Sequence, residues 1–169
     1  MSDERIRQIY KIPESRKVES EHKRLQEDLK NWAIKRGYPS PDELPDGSKP
    51  DVIRSDENES LFIGDAKDAT NETPSNTKTV KRIKNYIQQF ALLLDKKKRR
   101  AGIIAIATNN EQAAKNWVTT LNTLCIEAGI TDPRTNSEPN FDITKLQKKN
   151  TWIIWWYTLH RYKLRSFDI

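Results

Sequence analysis

The stretch Ala101-Gly102-Ile103-Ile104-Ala105-Ile106-Ala107 constrains this chain more than any other. Every residue in it is apolar or a glycine, so a strand built from it needs cover on both faces, which places it in the middle of a sheet between two outer layers. Amphipathic helical patterns stand on either side of it. Ahead of it, Val80, Ile83, Ile87, Phe90 and Leu94 recur at three and four over a helix of about 17 residues. Behind it, Ala114, Trp117, Leu121, Leu124 and Ala128 do the same, with Asn109 and Gln112 as the expected capping box and Gly129 as the stop. A third pattern, Val18, Leu25, Leu29, Trp32 and Ala33, predicts a helix from about Glu14 to Arg36, ended by Gly37. Helix, strands, helix, strand, helix and strand in that order predict an α/β fold: a small mixed β-sheet flanked by helices.

The remaining segments are shorter. Asp51-Val52-Ile53-Arg54 and Leu61-Phe62-Ile63-Gly64-Asp65-Ala66-Lys67 read as two strands of a hairpin with a loose polar turn. Tyr38 to Lys49, with Pro39, Pro41, Pro45 and Gly47, is loop or edge-strand material. A short helix is expected within Phe141 to Lys149, then a last strand over Thr151 to Leu159 and a basic tail through Arg161, Lys163 and Arg165. In that strand Trp152, Trp155 and Trp156 read as core or interface residues, with stacking on nucleic-acid bases as the alternative.

A length of 169 residues suits a single domain over 1–169, with its core at about 14–129 and a C-terminal strand plus basic tail over 141–169. No apolar run approaches the ~18 residues of a membrane span, and no signal-like segment follows Met1, so no membrane association and a cytoplasmic location are expected. One cysteine, Cys125, and two histidines, His22 and His160, are too few for a disulfide framework or an ordinary Cys/His zinc site. A metal in this chain would sit on oxygen.

Charge is distributed unevenly. The net charge is +6, yet residues 38–77 carry three Lys or Arg against ten Asp or Glu, and residues 78–100 carry nine against one. An acidic stretch beside a strongly basic one suits an oxygen-ligand metal site next to a polyanion-binding surface. Lys78, Lys81, Arg82 and Lys84, followed by Lys96, Lys97, Lys98, Arg99 and Arg100, are the expected DNA-binding residues.

Pro50-Asp51 opens one strand of the hairpin and Asp65-Ala66-Lys67 ends the other, so antiparallel pairing would bring both carboxylates to one end of the sheet. Alternation puts Asp65 and Lys67 on one face. Two carboxylates, a backbone carbonyl and waters suit Mg2+, with Mn2+ able to substitute, and an adjacent lysine can orient the attacking water and offset charge in the transition state.

These residues resemble the signature of the PD-(D/E)XK nuclease superfamily, whose members share the restriction-endonuclease-like fold. The resemblance covers Glu14 to Gly129: a helix carrying an acidic residue, the hairpin, a helix, a strand and a further helix. It implies that Asp51 and Asp65 are metal ligands, that the Ala66 carbonyl is a third and that Lys67 is the catalytic lysine. Glu21 would be the additional helix carboxylate, with Glu14 and Glu27 as alternatives if the register differs. Gln88, Gln89 and Tyr86 lie in the helix where some members place a polar active-site residue. Pro41-Asp42, Pro45-Asp46, Glu21-His22-Lys23 and Asp28-Leu29-Lys30 match parts of the same pattern, but only Pro50-Asp51 and Asp65-Ala66-Lys67 adjoin strand-like blocks in hairpin order. The function expected is Mg2+-dependent DNA cleavage by an endonuclease of restriction, homing or resolvase type. Cutting both strands of a duplex needs two sites, so a homodimer or larger symmetric assembly is expected. The reading from another class is a non-catalytic nucleic-acid-binding or assembly protein with a nuclease-like fold.

Overall fold

The computed structural model describes residues 14–96, 98–130 and 139–159. Its elements in chain order are α1 (Glu14–Lys35), β1 (Ser40–Pro41), β2 (Val52–Ser55), β3 (Leu61–Lys67), α2 (Thr77–Asp95), β4 (Ala101–Thr108), α3 (Glu111–Glu127), β5 (Asp142–Lys145) and β6 (Trp152–Leu159). The strands form one six-stranded mixed sheet in the order β1-β2-β3-β4-β6-β5. Only β3 and β4 run parallel, joined through α2, and the other neighbours are antiparallel.

The apolar run at residues 101–107 is central, as its composition requires, paired with β3 on one side and β6 on the other. Residue alternation divides the core in two. On one face Leu61, Ile63, Ile104, Ile106 and Trp156 pack with Ile83, Ile87 and Phe90 of α2 and Trp117 and Leu121 of α3. On the other, Phe62, Ala66, Ile103, Ala105 and Ile153 pack with Leu25, Leu29, Trp32 and Ala33 of α1. Among the described residues the fold is thus an α/β sandwich with α1 alone on one side. A side chain at Gly102 would run into the Leu61 carbonyl and the Phe90 ring, so β4 can pass between β3 and α2 only with glycine there.

Two expectations are corrected. The segment after Phe141 is the edge strand β5, because Ile143 and Thr144 pair with Ile154 and Ile153 of β6 and β-branched residues suit a pleated surface. The cap of α3 is Asn110, whose side chain accepts the Ala113 amide, and Asn109 is left for another task. No helix among the described residues is long and apolar enough to cross a membrane. Lys97 and the basic tail at Arg161, Lys163 and Arg165 lie outside the described residues.

Candidate active site

Antiparallel pairing sets Val52 opposite Gly64, which brings Asp51, just ahead of β2, beside Asp65 near the end of β3. The Asp51 amide donates to Asp65 Oδ1 at 2.7 Å, and the Ala66 amide donates to Asp51 Oδ2 at 2.9 Å. Lys67 Nζ lies 2.7 Å from Asp65 Oδ2, so the two side chains share a face as strand alternation demands. Both are deep: side-chain exposure is 5% at Asp65 and 1% at Lys67.

Two side chains outside the motif complete the cluster. Glu72, in the loop after β3, places Oε2 3.0 Å from Lys67 Nζ and Oε1 3.4 Å from His22 Nδ1. His22 reaches down from α1, and its Nε2 lies 3.2 Å from Asp51 Oδ2. Asp51, His22, Glu72, Lys67 and Asp65 therefore form a closed ring in which acidic and basic groups alternate until the Asp51 amide meets Asp65. Three carboxylates share two cations.

The electrostatics follow from that layout. Hydrogen bonds to Asp51 and then Glu72 push the His22 imidazole up to about 10, so it is cationic at neutral pH. Burial raises the Asp65 carboxyl to about 6, against the pull of Lys67 and with a further push from Asp51. Burial also works against the charged forms of Asp51 and Glu72, yet both sit below the ordinary carboxylate range because His22 bonds to each, aided by the Ala66 amide at Asp51 and by Lys67 at Glu72. Lys67 stays protonated: Asp65 and Glu72 outweigh the desolvation of its ammonium.

Around the ring stand the other residues singled out from sequence. Glu21 is bound by the Arg24 guanidinium, which holds its carboxyl below the usual range, and accepts from Asn109 Nδ2 at 3.2 Å. Asn109 also donates to Asp68 at 3.2 Å and accepts the Ala69 amide at 2.9 Å, tying α1, the loop after β3 and the end of β4 together. His22, one residue along, meets the Asp51 carboxylate, while Gln26 donates to the Asp51 carbonyl at 3.2 Å and Glu27 is exposed. Tyr86 is buried in α2, its hydroxyl 3.4 Å from the Lys49 carbonyl and pushed up to about 12 by burial and then by the Asp65 charge. Gln88 is exposed, and Gln89 is half-buried on α2. The other partial matches to the motif are occupied elsewhere: Asp42 pairs with Arg99 at 2.6 Å, Asp46 accepts the Ser48 amide at 3.0 Å, and Asp28 is buried against Arg24, Lys149 and Thr151.

The basic surface is unequal. Lys78, Lys81 and Arg82 are exposed on α2, and Lys84 lies 3.7 Å from Glu127. Lys81 and Lys84 line an open groove of about 700 Å3 along the outer side of α2, together with Asn85 and Gln88. Lys96, Lys98 and Arg100 are exposed, but Arg99 is committed to Asp42.

His22, Glu72 and Asn109 were missed by sequence reasoning. Glu72 sits in a polar loop without periodicity, and only the rotation of about 100° between the neighbouring helix positions Glu21 and His22 decides which of them meets the hairpin. Among the described residues, no group of three or more His, Cys, Asp and Glu side chains is arranged to hold a metal ion. Comparison with family models, curated proteins and solved structures finds nothing that matches this chain.

Proposed function

We propose that this chain is a Mg2+-dependent DNA endonuclease with a restriction-endonuclease-like core. The observation that carries the reading is the meeting of Asp51, Asp65 and Lys67 at one end of the β2–β3 hairpin, with 2.7 Å from the Asp51 amide to Asp65 and 2.7 Å from Lys67 to Asp65. The order α1, β2, β3, α2, β4, α3, with β3 and β4 parallel, supports it.

The residues suit a hard divalent cation in a two-carboxylate site completed by water and substrate oxygen. Asp51 and Asp65 would hold Mg2+ or Mn2+ together with the Ala66 carbonyl, and the ring's three carboxylates against two cations leave negative charge for a cation to balance. Bound Mg2+ would supply polarisation of a phosphoryl oxygen and acidification of water. Lys67, beneath the outer carboxylates, keeps a fixed positive charge that orients the attacking water and offsets charge growing on the phosphate. Lys78, Lys81 and Arg82, with the groove at Lys81 and Lys84, hold the DNA backbone, joined by Lys96, Lys98 and Arg100. Glu21 acts at the edge of the site through Arg24 and Asn109. A homodimer supplies the second active centre that double-strand cleavage needs.

Incubating the purified chain with plasmid and branched DNA, with Mg2+, Mn2+ or EDTA, tests the reading. Cleavage confined to the metal-containing reactions is the expected result. Activity undiminished in EDTA overturns it, and salt-dependent binding without cleavage favours the non-catalytic nucleic-acid-binding protein.

A further inference from the structure

We propose that Glu72 and His22 are positioning residues that act as one unit, holding the Lys67 ammonium and the Asp51 carboxylate in place for the reaction; the proposal rests on the nuclease reading above. An ammonium has three donors and, on its flexible stem, no preferred direction of its own. Among the described residues the Lys67 ammonium is ion-paired with Asp65 Oδ2 at 2.7 Å and donates to Glu72 Oε2 at 3.0 Å, which leaves donor capacity for water or phosphate. A single anchor at Asp65 would let Nζ swing about that oxygen; the second, from a different segment of chain, removes the freedom.

Glu72 needs an anchor in turn. Its other oxygen meets His22 Nδ1 at 3.4 Å, and the opposite ring nitrogen meets Asp51 Oδ2 at 3.2 Å. The imidazole is a rigid strut between a loop carboxylate and a hairpin carboxylate, fastened to α1. The Glu72 amide also donates to the Asp68 carbonyl at 2.8 Å, so the loop is held by its own turn as well. Loss of either His22 or Glu72 breaks the link between them and leaves the other held on one side only, so loss of the second should cost little more.

Single-turnover cleavage at saturating protein, with DNA affinity measured separately in Ca2+, tests the proposal on His22→Ala, Glu72→Ala and the double variant. Each single variant should cut roughly 10- to 100-fold more slowly, as misplaced groups do, while affinity changes by less than about threefold, because the phosphates rest on the basic surface. The double variant should match the slower single within about twofold. Glu72→Gln, which keeps an acceptor for Lys67 at the same length, should recover part of the rate, and thermal unfolding identifies any variant that has lost its fold.

Losses that multiply in the double variant, unchanged rates in the singles, or affinity falling in step with rate each overturn the proposal while the nuclease reading stands. If the unmodified chain cuts no substrate, both fall. A readout without turnover is the Lys67 ammonium signal in the nitrogen-15 spectrum of the metal-free protein: it should be protected from exchange, and its persistence in Glu72→Ala overturns the second anchor.

Discussion

Two polar clusters are fastened to α1, and they solve the problem of buried charge differently. Around Asp28, which is 6% exposed, Arg24 Nη1 at 3.1 Å, Lys149 Nζ at 2.9 Å and the Thr151 hydroxyl at 2.8 Å surround one carboxylate. With Glu21 on the other side of Arg24, two acids meet two bases, and the cluster ties α1 to the turn before β6. At the ring, three acids meet two bases, one of which, His22, is charged because of those acids. Burying unbalanced charge lowers stability, so a fold keeps it where something else uses it. The Asp28 cluster is a fastening, and the ring is the proposed site.

The largest expected effect is on chemistry. Asp51→Ala and Asp65→Ala should each reduce metal-dependent cleavage by about 10³-fold or more, since each would remove a ligand of the proposed Mg2+ and so the positive charge aimed at the reacting phosphate, with DNA binding largely retained. Asp28→Ala should leave the chemical rate within about threefold and instead lower stability by about 2 kcal/mol. Denaturant unfolding and single-turnover kinetics on the same variants separate the two clusters, and a rate collapse in Asp28→Ala would erase the distinction.

Lys67 sharpens the contrast between charge and position. Lys67→Ala should bind DNA but lose roughly 10²-fold in single-turnover rate. Lys67→Arg restores charge but replaces a compact ammonium by a planar fork, so it should recover little. Full recovery would mean that bulk charge is enough.

The ring should also register in stability against pH. The His22 imidazole is raised from 6.5 to about 10, so its contribution is fully present below pH 6.5 and is lost as pH rises towards 10. Unfolding of the metal-free chain from pH 6 to 10 should show that decline in the wild type and a flatter profile in His22→Ala. Equal slopes would remove the charged imidazole from the ring.

The smallest effect concerns the surface. Replacing Lys78, Lys81 and Arg82 by Ala should flatten the dependence of log affinity on log salt by about 0.9 for each phosphate that is no longer neutralised. Arg99→Ala should change the slope little, because Asp42 already holds the guanidinium at 2.6 Å.

Much of this was legible from residue order. Alternation, three- and four-residue spacing and the doubly apolar run at residues 101–107 are local signals, and they predicted α1, β2, β3, α2, β4, α3 and β6 close to where they stand. The proximity of Asp51 and Asp65 was legible too, because a hairpin is a local object and its register follows from the strands it joins. At residues 141–149 local reading failed: Asp142 to Lys145 is extended because β6 offers a partner, and partnership is not written in the segment itself.

Composition and spacing by themselves determined the layers, the hairpin, the pairing of Asp65 with Lys67 on one face and the basic outer side of α2. Only tertiary structure decided that His22 rather than Glu21 meets Asp51, that Glu72 reaches back to Lys67, that Asn109 joins three segments while Asn110 caps α3, and that Arg99 is spent on Asp42. The reason is geometric. Neighbouring helical residues point about 100° apart, so the packing of α1 on the sheet selects between them, and a loop carboxylate finds its partner only once the chain around it has folded.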